Sequence, residues 1–255
     1  TPVPKGLPVQ RLSLARLSPV ASERLLLAWA GPAARTRAGR SLVQALGGRP
    51  SLLVRAGRLI GGQRGWLPPE QLLSAITTTV RSGGLNELEE AIVDAGIRSA
   101  PAGLNETLYG MCVLPAAPTT LPVDLLSTVL GASRWEAHRL ALSDVGFLER
   151  AGEGRWRIPA VVLRVARRHA AHIPQLMRES LRRARSWTRR RLVEAGGHWR
   201  EKGVLDVRVR ELRVDRRVIV ALLGKDPEWV LLHPLRYKLY RELAIFQVAG
   251  PQLML

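Results

Sequence analysis

The sequence predicts a mainly α-helical fold, in which a helical bundle is followed by a winged helix-turn-helix with a small β-hairpin and then by a basic helical extension. Apolar residues recur at helical spacing through most of residues 18–171. One pair of short extended segments flanks a glycine-containing turn. Positive charge is concentrated late in the chain, because residues 1–154 hold 16 basic and 12 acidic side chains, whereas residues 155–255 hold 23 and 9.

Length and composition are those of a chain that folds around a core. The 255 residues suit one large or two small domains, and 46% apolar content with a mean hydropathy of +0.00 is typical of a globular chain. We divide the sequence into four segments. They are a lead-in over residues 1–17, a helical bundle over residues 18–100, a winged-helix domain over residues 104–171 and a basic, mostly helical extension over residues 172–255.

Helix-start signals and apolar spacing define the bundle. Ser18 precedes Pro19, so the serine oxygen can cap free N–H groups while proline at the first helical position loses no hydrogen bond. A helix is therefore expected from there to about Ala30. Apolar spacing continues on both sides of a Gly-Gly-Arg-Pro turn at residues 47–50. The further predicted helices are Ser41–Ala45, Ser51–Ile60, Pro69–Val80 and Glu87–Ala95.

Two short helices are predicted to open the winged-helix domain. Leu104, Leu108, Met111 and Cys112 fall on one helical face, and a second apolar stripe over residues 123–130 stops at a glycine. Two short helices are therefore expected.

A third helix and a hairpin complete the predicted domain. Ser133 and Glu136 have the spacing of a reciprocal capping box, so a helix is expected from Ser133 to about Val145, with Trp135 pointing inward. The segments after it alternate around Ala151-Gly152-Glu153-Gly154, which predicts a hairpin. The two hairpin strands are expected over residues 147–150 and 155–158, and a further helix is expected over residues 160–171.

The basic extension is predicted to start with one long amphipathic helix, from Pro174 to about Ala195. Beyond it, the pattern suggests a strand over residues 204–210 and helices over residues 218–223 and 231–246. The side chains expected to point inward from the long helix are Met177, Leu181, Ala184, Trp187 and Leu192.

Arginines occupy the rest of the long helix. Their spacing of four, three and four residues places Arg178, Arg182, Arg185 and Arg189 in one stripe. The residues that broaden this stripe are Arg183, Arg190 and Arg191. Phosphate groups would relieve the repulsion within such a stripe, whereas the alternative is a solvated face paired with acids of another domain or subunit.

The winged-helix domain raises the same question of nucleic-acid contact. If it binds DNA, the helix starting at Ser133 enters the major groove and exposes base-contacting side chains, while the wing touches phosphate. The side chains expected on that helix are Arg134, His138 and Arg139, and those expected on the wing are Arg155 and Arg157.

Three sequence elements, taken in order, resemble a known family. They are Leu14-Ala15-Arg16-Leu17-Ser18-Pro19, then Leu46-Gly47-Gly48-Arg49-Pro50-Ser51-Leu52 running into Arg55-Ala56-Gly57-Arg58-Leu59, and then the winged-helix domain. Together, over about residues 9–170, they resemble the STAND class of signal-transducing NTPases, particularly the NB-ARC region of bacterial antibiotic-biosynthesis regulators. The last 80 residues do not match the helical repeats that often follow in that family.

The resemblance implies a nucleotide-proximal role for Gly48 and Pro50, beside the adenine, and a role for the winged unit as a lid over the nucleotide. Two departures weigh against nucleotide chemistry in this chain. The sequence has no G-x-x-x-x-G-K-[ST] phosphate loop, and Pro159 and Ala160 stand where the family usually has a His-Asp pair. No cofactor is therefore expected in this chain, and ATP or ADP enters only if an upstream nucleotide-binding core is present.

Other chemistry is not predicted. Five dispersed histidines offer no metal set, His169 and His172 are expected to have no cysteine or paired acid nearby, and Glu89 and Glu90 are expected on a solvent-facing helix surface. A single cysteine, Cys112, is expected in the core and excludes an internal disulfide, which fits a cytoplasmic location. No apolar run is long enough to span a membrane.

The function expected from these observations is regulatory. The chain is expected to be a fragment of a STAND-type signalling or transcriptional regulator, with the winged helix as an interdomain lid or docking module and with other domains or subunits as partners. The rival is a winged-helix DNA-binding protein that uses the arginine stripe as a phosphate clamp. An NTPase with its own catalytic site ranks third.

Overall fold

Helices dominate the part of the chain that the structure describes. The computed structural model describes residues 16–61, 65–80, 85–101, 103–197, 212 and 214–223. The predicted strand over residues 204–210 and the predicted helix over residues 231–246 lie outside this set. The expectation of a mainly α-helical chain with a small β element is confirmed.

The helices of the first hundred residues follow the sequence signals closely. Ser18 caps the first helix, since its Oγ accepts a hydrogen bond from the backbone N–H of Ala21 at 3.2 Å. A short 3₁₀ helix, Gly31–Arg35, separates the first two α-helices. The α-helices are α1 (Pro19–Ala30), α2 (Arg37–Leu46), α3 (Pro50–Gly61), α4 (Pro69–Val80) and α5 (Leu85–Arg98).

A second group of helices surrounds a small sheet. Its elements are α6 (Leu104–Met111), β1 (Leu121–Pro122), α7 (Val123–Leu130), α8 (Ala132–Asp144), β2 (Glu149–Gly152), β3 (Arg155–Arg157) and α9 (Ala160–Ala170). The sheet is antiparallel in the order β1-β3-β2, and Trp156 of β3 is paired with Leu121 on one side and Arg150 on the other. The sequence predicted the β2–β3 hairpin but not β1, because two residues carry no period-2 pattern.

The predicted capping box at Ser133 is wrong. Helix α8 begins one residue earlier, at Ala132, and its N-cap is Gly131, which makes no side-chain cap. Gly131 has φ 87°, and its carbonyl accepts the hydrogen bond from Trp135 N–H that starts the helix. The left-handed backbone of a glycine thus turns the chain from α7 directly into α8 without a serine cap.

The long helix α10 (Pro174–Gly197) lies on this second group, and α11 (Arg216–Leu223) packs against it. Helix α10 contacts α6 and α7 through a face of small and aromatic side chains: Ser180, Ala184, Trp187 and Thr188 are all buried. Gly110 of α6 permits the close approach, since a Cβ there would lie 3.2 Å from Ser180 Oγ. The opposite face of α10 is therefore left to solvent.

One continuous set of buried side chains runs through both groups of helices. Helix α5 packs against α9 as well as against α3 and α4, so the core does not stop at residues 100–104. The division into a bundle and a second domain at that point stays a prediction.

Candidate docking and nucleic-acid surfaces

The solvent-facing side of α8 is not basic. Ser133, Glu136, Ala137 and Leu140 are exposed, and their spacing of three, one and three residues places them on one helical face. Leu140 is 43% exposed. The Glu136 carboxylate would repel a phosphate group, and the Leu140 side chain offers it no hydrogen bond. This face therefore suits contact with another protein better than contact with DNA.

The three side chains predicted to read DNA from α8 make contacts within the protein instead. Arg134 pairs with Glu106 of α6 at 2.9 Å, and Arg139 Nε donates to Glu136 at 2.7 Å on its own helix. The Nδ1 atom of His138 lies 2.7 Å from the Thr107 hydroxyl oxygen. Burial, aided by the nearby positive charge of Arg134, lowers the pKa of His138. Two of the three side chains thus join α8 to α6.

The predicted wing arginines are also engaged. The Arg155 guanidinium donates to the hydroxyl and carbonyl oxygens of Thr120 at 3.0 and 3.1 Å, and to Asp215 Oδ1 at 2.7 Å. Arg157 Nε donates to Glu149 of the neighbouring strand at 2.6 Å. Arg155 is only 21% exposed, so it is much less accessible than a phosphate-contacting wing residue would be.

Asp215 connects the hairpin to the C-terminal helices. Its side chain is 3% exposed, and its second oxygen lies 3.6 Å from Nη2 of Arg191 on α10. The Arg191 guanidinium lies over the Trp187 ring at 5.7 Å, and the indole N–H of Trp187 donates to Asp124 of α7 at 2.9 Å. A buried carboxylate shared by two guanidiniums therefore links α11, β3 and α10.

The arginines predicted to form the stripe on α10 differ in exposure. Arg178, Arg189 and Arg190 are exposed and Arg185 is half-buried. Arg182 is 75% exposed even though it forms a bidentate pair with Glu179 at 2.8 and 2.9 Å. Hydrogen bonds from Arg182 and Arg183 lower the pKa of Glu179 to about 2. The stripe is thus solvent-facing along most of its length.

Gly48 and Pro50, the residues placed near a nucleotide by resemblance, lie at the turn between α2 and α3. Gly48 has φ 69°, and a Cβ there would collide with the carbonyl oxygen of Leu17. The backbone N–H of Leu17 also donates to the Gly48 carbonyl at 2.8 Å. Pro50 is the exposed first residue of α3. The turn therefore needs glycine to pack against the chain's own backbone, which accounts for it without a ligand.

Phe147, just after α8, anchors the second group of helices to the first. Its side chain is fully buried and meets the Trp66 ring edge-on, with centroids 6.1 Å apart. A Cβ added at Gly96 of α5 would lie 2.8 Å from the Phe147 ring, and the Trp66 indole N–H donates to the Gly96 carbonyl at 2.8 Å. The absence of a side chain at Gly96 lets the aromatic residue enter the core of the first group.

Ion pairs also join α5 to α9, and two expectations about this region are wrong. Glu90, expected on a solvent-facing surface, is half-buried and pairs with Arg164 at 2.6 Å and Arg168 at 2.8 Å. His169, expected to have no acid nearby, lies 2.7 Å from Asp94. The fold brings these residues together across more than 70 positions of sequence, a distance at which spacing rules do not apply.

Cys112 is a core residue, as predicted. Its thiol is buried and donates to the Leu108 carbonyl at 3.4 Å, and burial raises its pKa to about 12. Such a thiol is protonated at neutral pH and is a poor nucleophile. Within the described ranges, no group of three or more His, Cys, Asp or Glu side chains is arranged to hold a metal ion. No helix in this part of the chain has the length and apolar composition needed to cross a bilayer.

No family model matches the sequence, and neither a curated protein nor a solved structure is significantly similar to it.

Sequence reasoning missed the acceptors that engage the predicted arginines. Asp215, Glu106 and Thr107 were not singled out, although each is the partner of a predicted site residue. The only local signal was at Asp215, an acid within a strongly basic segment. Nothing in the spacing indicated that it faces the hairpin.

Proposed function

We propose that the chain is the helical and winged-helix part of a STAND-type regulator, in which the winged unit is an interdomain lid or docking module. The element order α6-β1-α7-α8-β2-β3, with β3 central in the sheet, supports the winged-helix part of this proposal. The observation that carries the docking role is the exposed face of α8. It is formed by Ser133, Glu136, Ala137 and Leu140, while the basic residues beside it are turned to internal partners.

The resemblance around Gly48 and Pro50 supports the family part of the proposal. In that family, the partner of the module is a nucleotide-binding core that carries a phosphate loop. This chain lacks that loop, so the partner surface belongs to another domain or another subunit.

The test is site-specific photo-crosslinking in the host cell. A benzophenone amino acid replaces Ala137, which is exposed on the α8 face, and in a matched control it replaces Thr78, which is exposed on α4. We expect position 137, and not position 78, to form an adduct with a polypeptide segment that contains a G-x-x-x-x-G-K-[ST] loop, identified by mass spectrometry. Adducts to DNA at position 137, or equal yields of protein adduct at both positions, would contradict the docking role.

A second candidate function is a winged-helix DNA-binding protein, and the exposed arginines of α10 favour it. The contacts of α8 argue against base reading by this helix, because Arg134 and His138 would have to leave Glu106 and Thr107. Selection from a randomised duplex library tests it. Enrichment of one sequence, lost in the Arg139→Ala variant, would favour this candidate over the docking module.

A further inference from the structure

Packing fixes the orientation of the arginines on α10. The helix uses its face of small, apolar and aromatic side chains to contact α6 and α7, and Ala184 and Trp187 on that face are 0% and 1% exposed. Because Arg178, Arg182 and Arg189 lie on the side of the helix opposite these buried residues, docking of α10 presents them outward. Their exposure thus follows from packing and does not depend on the role of α8.

The exposed face is strongly cationic. Arg178, Arg182 and Arg189 lie within about 40° of one another around the helix axis and span about 16 Å along it, and the exposed Arg190 lies about 100° from Arg189 around that axis. Glu179, whose single charge is shared between Arg182 and Arg183, and the exposed Glu194 are the two acids of α10, against seven arginines. Positive charge therefore exceeds negative charge on this face, and a bound polyanion would lower its self-repulsion.

The chemistry of the face distinguishes between polyanions. Guanidinium groups present paired N–H donors that match two oxygens of one phosphate, which lysine cannot do. Binding to a lipid surface would also need apolar side chains next to the charge, whereas Ala184 and Trp187 of α10 are buried, and Met177 and Leu181 are partly buried against the core. A single strand would gain from aromatic stacking, but Trp187, the aromatic residue of α10, is buried. These features favour the backbone of duplex nucleic acid.

We propose that the exposed arginine face of α10, formed by Arg178, Arg182, Arg189 and Arg190, binds the sugar-phosphate backbone of duplex nucleic acid without reading its sequence. The binding is independent of the docking role of α8, so one can fail while the other stands. Each arginine neutralises one phosphate and releases counterions, which makes affinity depend steeply on salt.

The test is fluorescence anisotropy of the full chain with a labelled 24-base-pair duplex of mixed sequence at increasing NaCl concentration. Four neutralised phosphates predict that log affinity falls with log salt at a slope of about −3.6, or roughly 150-fold between 50 and 200 mM. Two duplexes of different sequence should give the same affinity within about threefold, because phosphate contacts carry no base information.

Matched variants assign the effect to this face. Arg178→Gln/Arg182→Gln/Arg189→Gln should reduce the slope to about −0.9, since one arginine remains. The control Arg24→Gln/Arg37→Gln/Arg40→Gln removes the same charge from exposed positions on α1 and α2 and should keep the steep slope. The variant Arg178→Lys/Arg182→Lys/Arg189→Lys keeps the charge and should therefore keep the steep slope. Circular dichroism melting of all three variants checks that they are folded.

Three outcomes would overturn the proposal. One is a flat salt response of the wild-type chain. Another is an equal loss of affinity in the α10 triple and the control triple, which would assign binding to net charge alone. The third is binding to vesicles of phosphatidylserine and phosphatidylcholine, or to a single strand of the same length, that is tighter than binding to the duplex and is lost in the α10 triple.

Discussion

Two arginine-bearing regions of this protein look alike in sequence and differ in structure. In the α8–hairpin region, Arg134 and Arg155 are held by the carboxylates of Glu106 and Asp215 on other elements. On α10, Arg178 is exposed on the side opposite the packed face, and Arg190 is also exposed. Arg155 is thus held by a buried carboxylate, whereas Arg178 and Arg190 extend from the helix surface into solvent.

This comparison indicates that the location of acidic side chains in the fold, more than the number of arginines, decides which basic region can bind an anion. An arginine that leaves a buried carboxylate must first break a charged hydrogen bond and leave that carboxylate unpaired. An arginine on a solvent-facing helix surface loses mainly rotamer freedom. The second kind is therefore the better candidate for phosphate contact.

The largest expected effect tests the anchoring of the α8 region. Phe147→Ala removes a fully buried ring that contacts the Trp66 ring and packs closely beside Gly96. We expect it to lower the free energy of unfolding by roughly 3–5 kcal/mol, measured by urea denaturation. The control Leu140→Ala, at a residue 43% exposed, should change it by less than about 0.5 kcal/mol. Similar effects of the two substitutions would contradict the anchoring.

A smaller effect tests the carboxylate that engages Arg155. Asp215→Ala leaves the Arg155 and Arg191 guanidiniums without their shared acceptor, so we expect a loss of roughly 1–3 kcal/mol in unfolding free energy. Limited proteolysis should also cleave near α11 sooner than in the wild type. Glu153→Ala, at an exposed acid in the hairpin turn, is the matched control and should behave like the wild type. Equal cleavage of all three proteins would count against the link.

The next prediction uses pH to separate the two regions. The pKa of His138 on α8 is lowered mainly by burial, whereas the pKa of Glu179 on α10 is lowered to about 2 by hydrogen bonds from two arginines. Each folded-state pKa lies below the unfolded one, so each group's contribution to stability is present above its unfolded pKa and is lost as pH falls. The loss begins near pH 6.5 for His138 and near pH 4.5 for Glu179. Titration of both side chains by NMR measures the two folded-state values.

The smallest expected effect is a change, caused by added salt, in the pKa values of these two side chains. Glu179 is exposed to solvent, so 0.5 M NaCl screens its arginines and should raise its pKa toward the ordinary range. The pKa of His138 should move less, because burial is its main cause. If the same NMR titration shows that salt shifts the pKa of His138 more than that of Glu179, the causes assigned to the two pKa shifts are contradicted.

Local rules predicted most helices of the fold. Pro69–Val80 and the Ser18 cap were predicted as found, because helix propensity, capping and apolar periodicity act within a few residues. The failures also have local reasons. The capping spacing of Ser133 and Glu136 predicts that α8 begins at Ser133, whereas the helix begins from Gly131, whose φ is positive. Strand β1 is too short for its pattern to be detected.

The candidate surfaces were predicted in part. Periodicity correctly placed Ala184 and Trp187 on the buried face of α10 and Arg178, Arg182 and Arg189 on its exposed side, but Arg191 lies beside Trp187. It could not place Arg155 beside Asp215, sixty residues away, nor His169 beside Asp94. Such pairs arise from the packing of whole helices, and one sequence carries no signal for them.

Chemical modification of arginines by phenylglyoxal, followed residue by residue with mass spectrometry, tests the contrast between the two regions most directly. In the folded protein, Arg178 and Arg190 should react at least about tenfold faster than Arg155, because freeing Arg155 from Asp215 costs at least about 1.4 kcal/mol. In the Asp215→Ala variant, Arg155 should approach the rate of Arg178. Equal rates for Arg155 and Arg178 in the wild-type protein would contradict the distinction between engaged and available arginines.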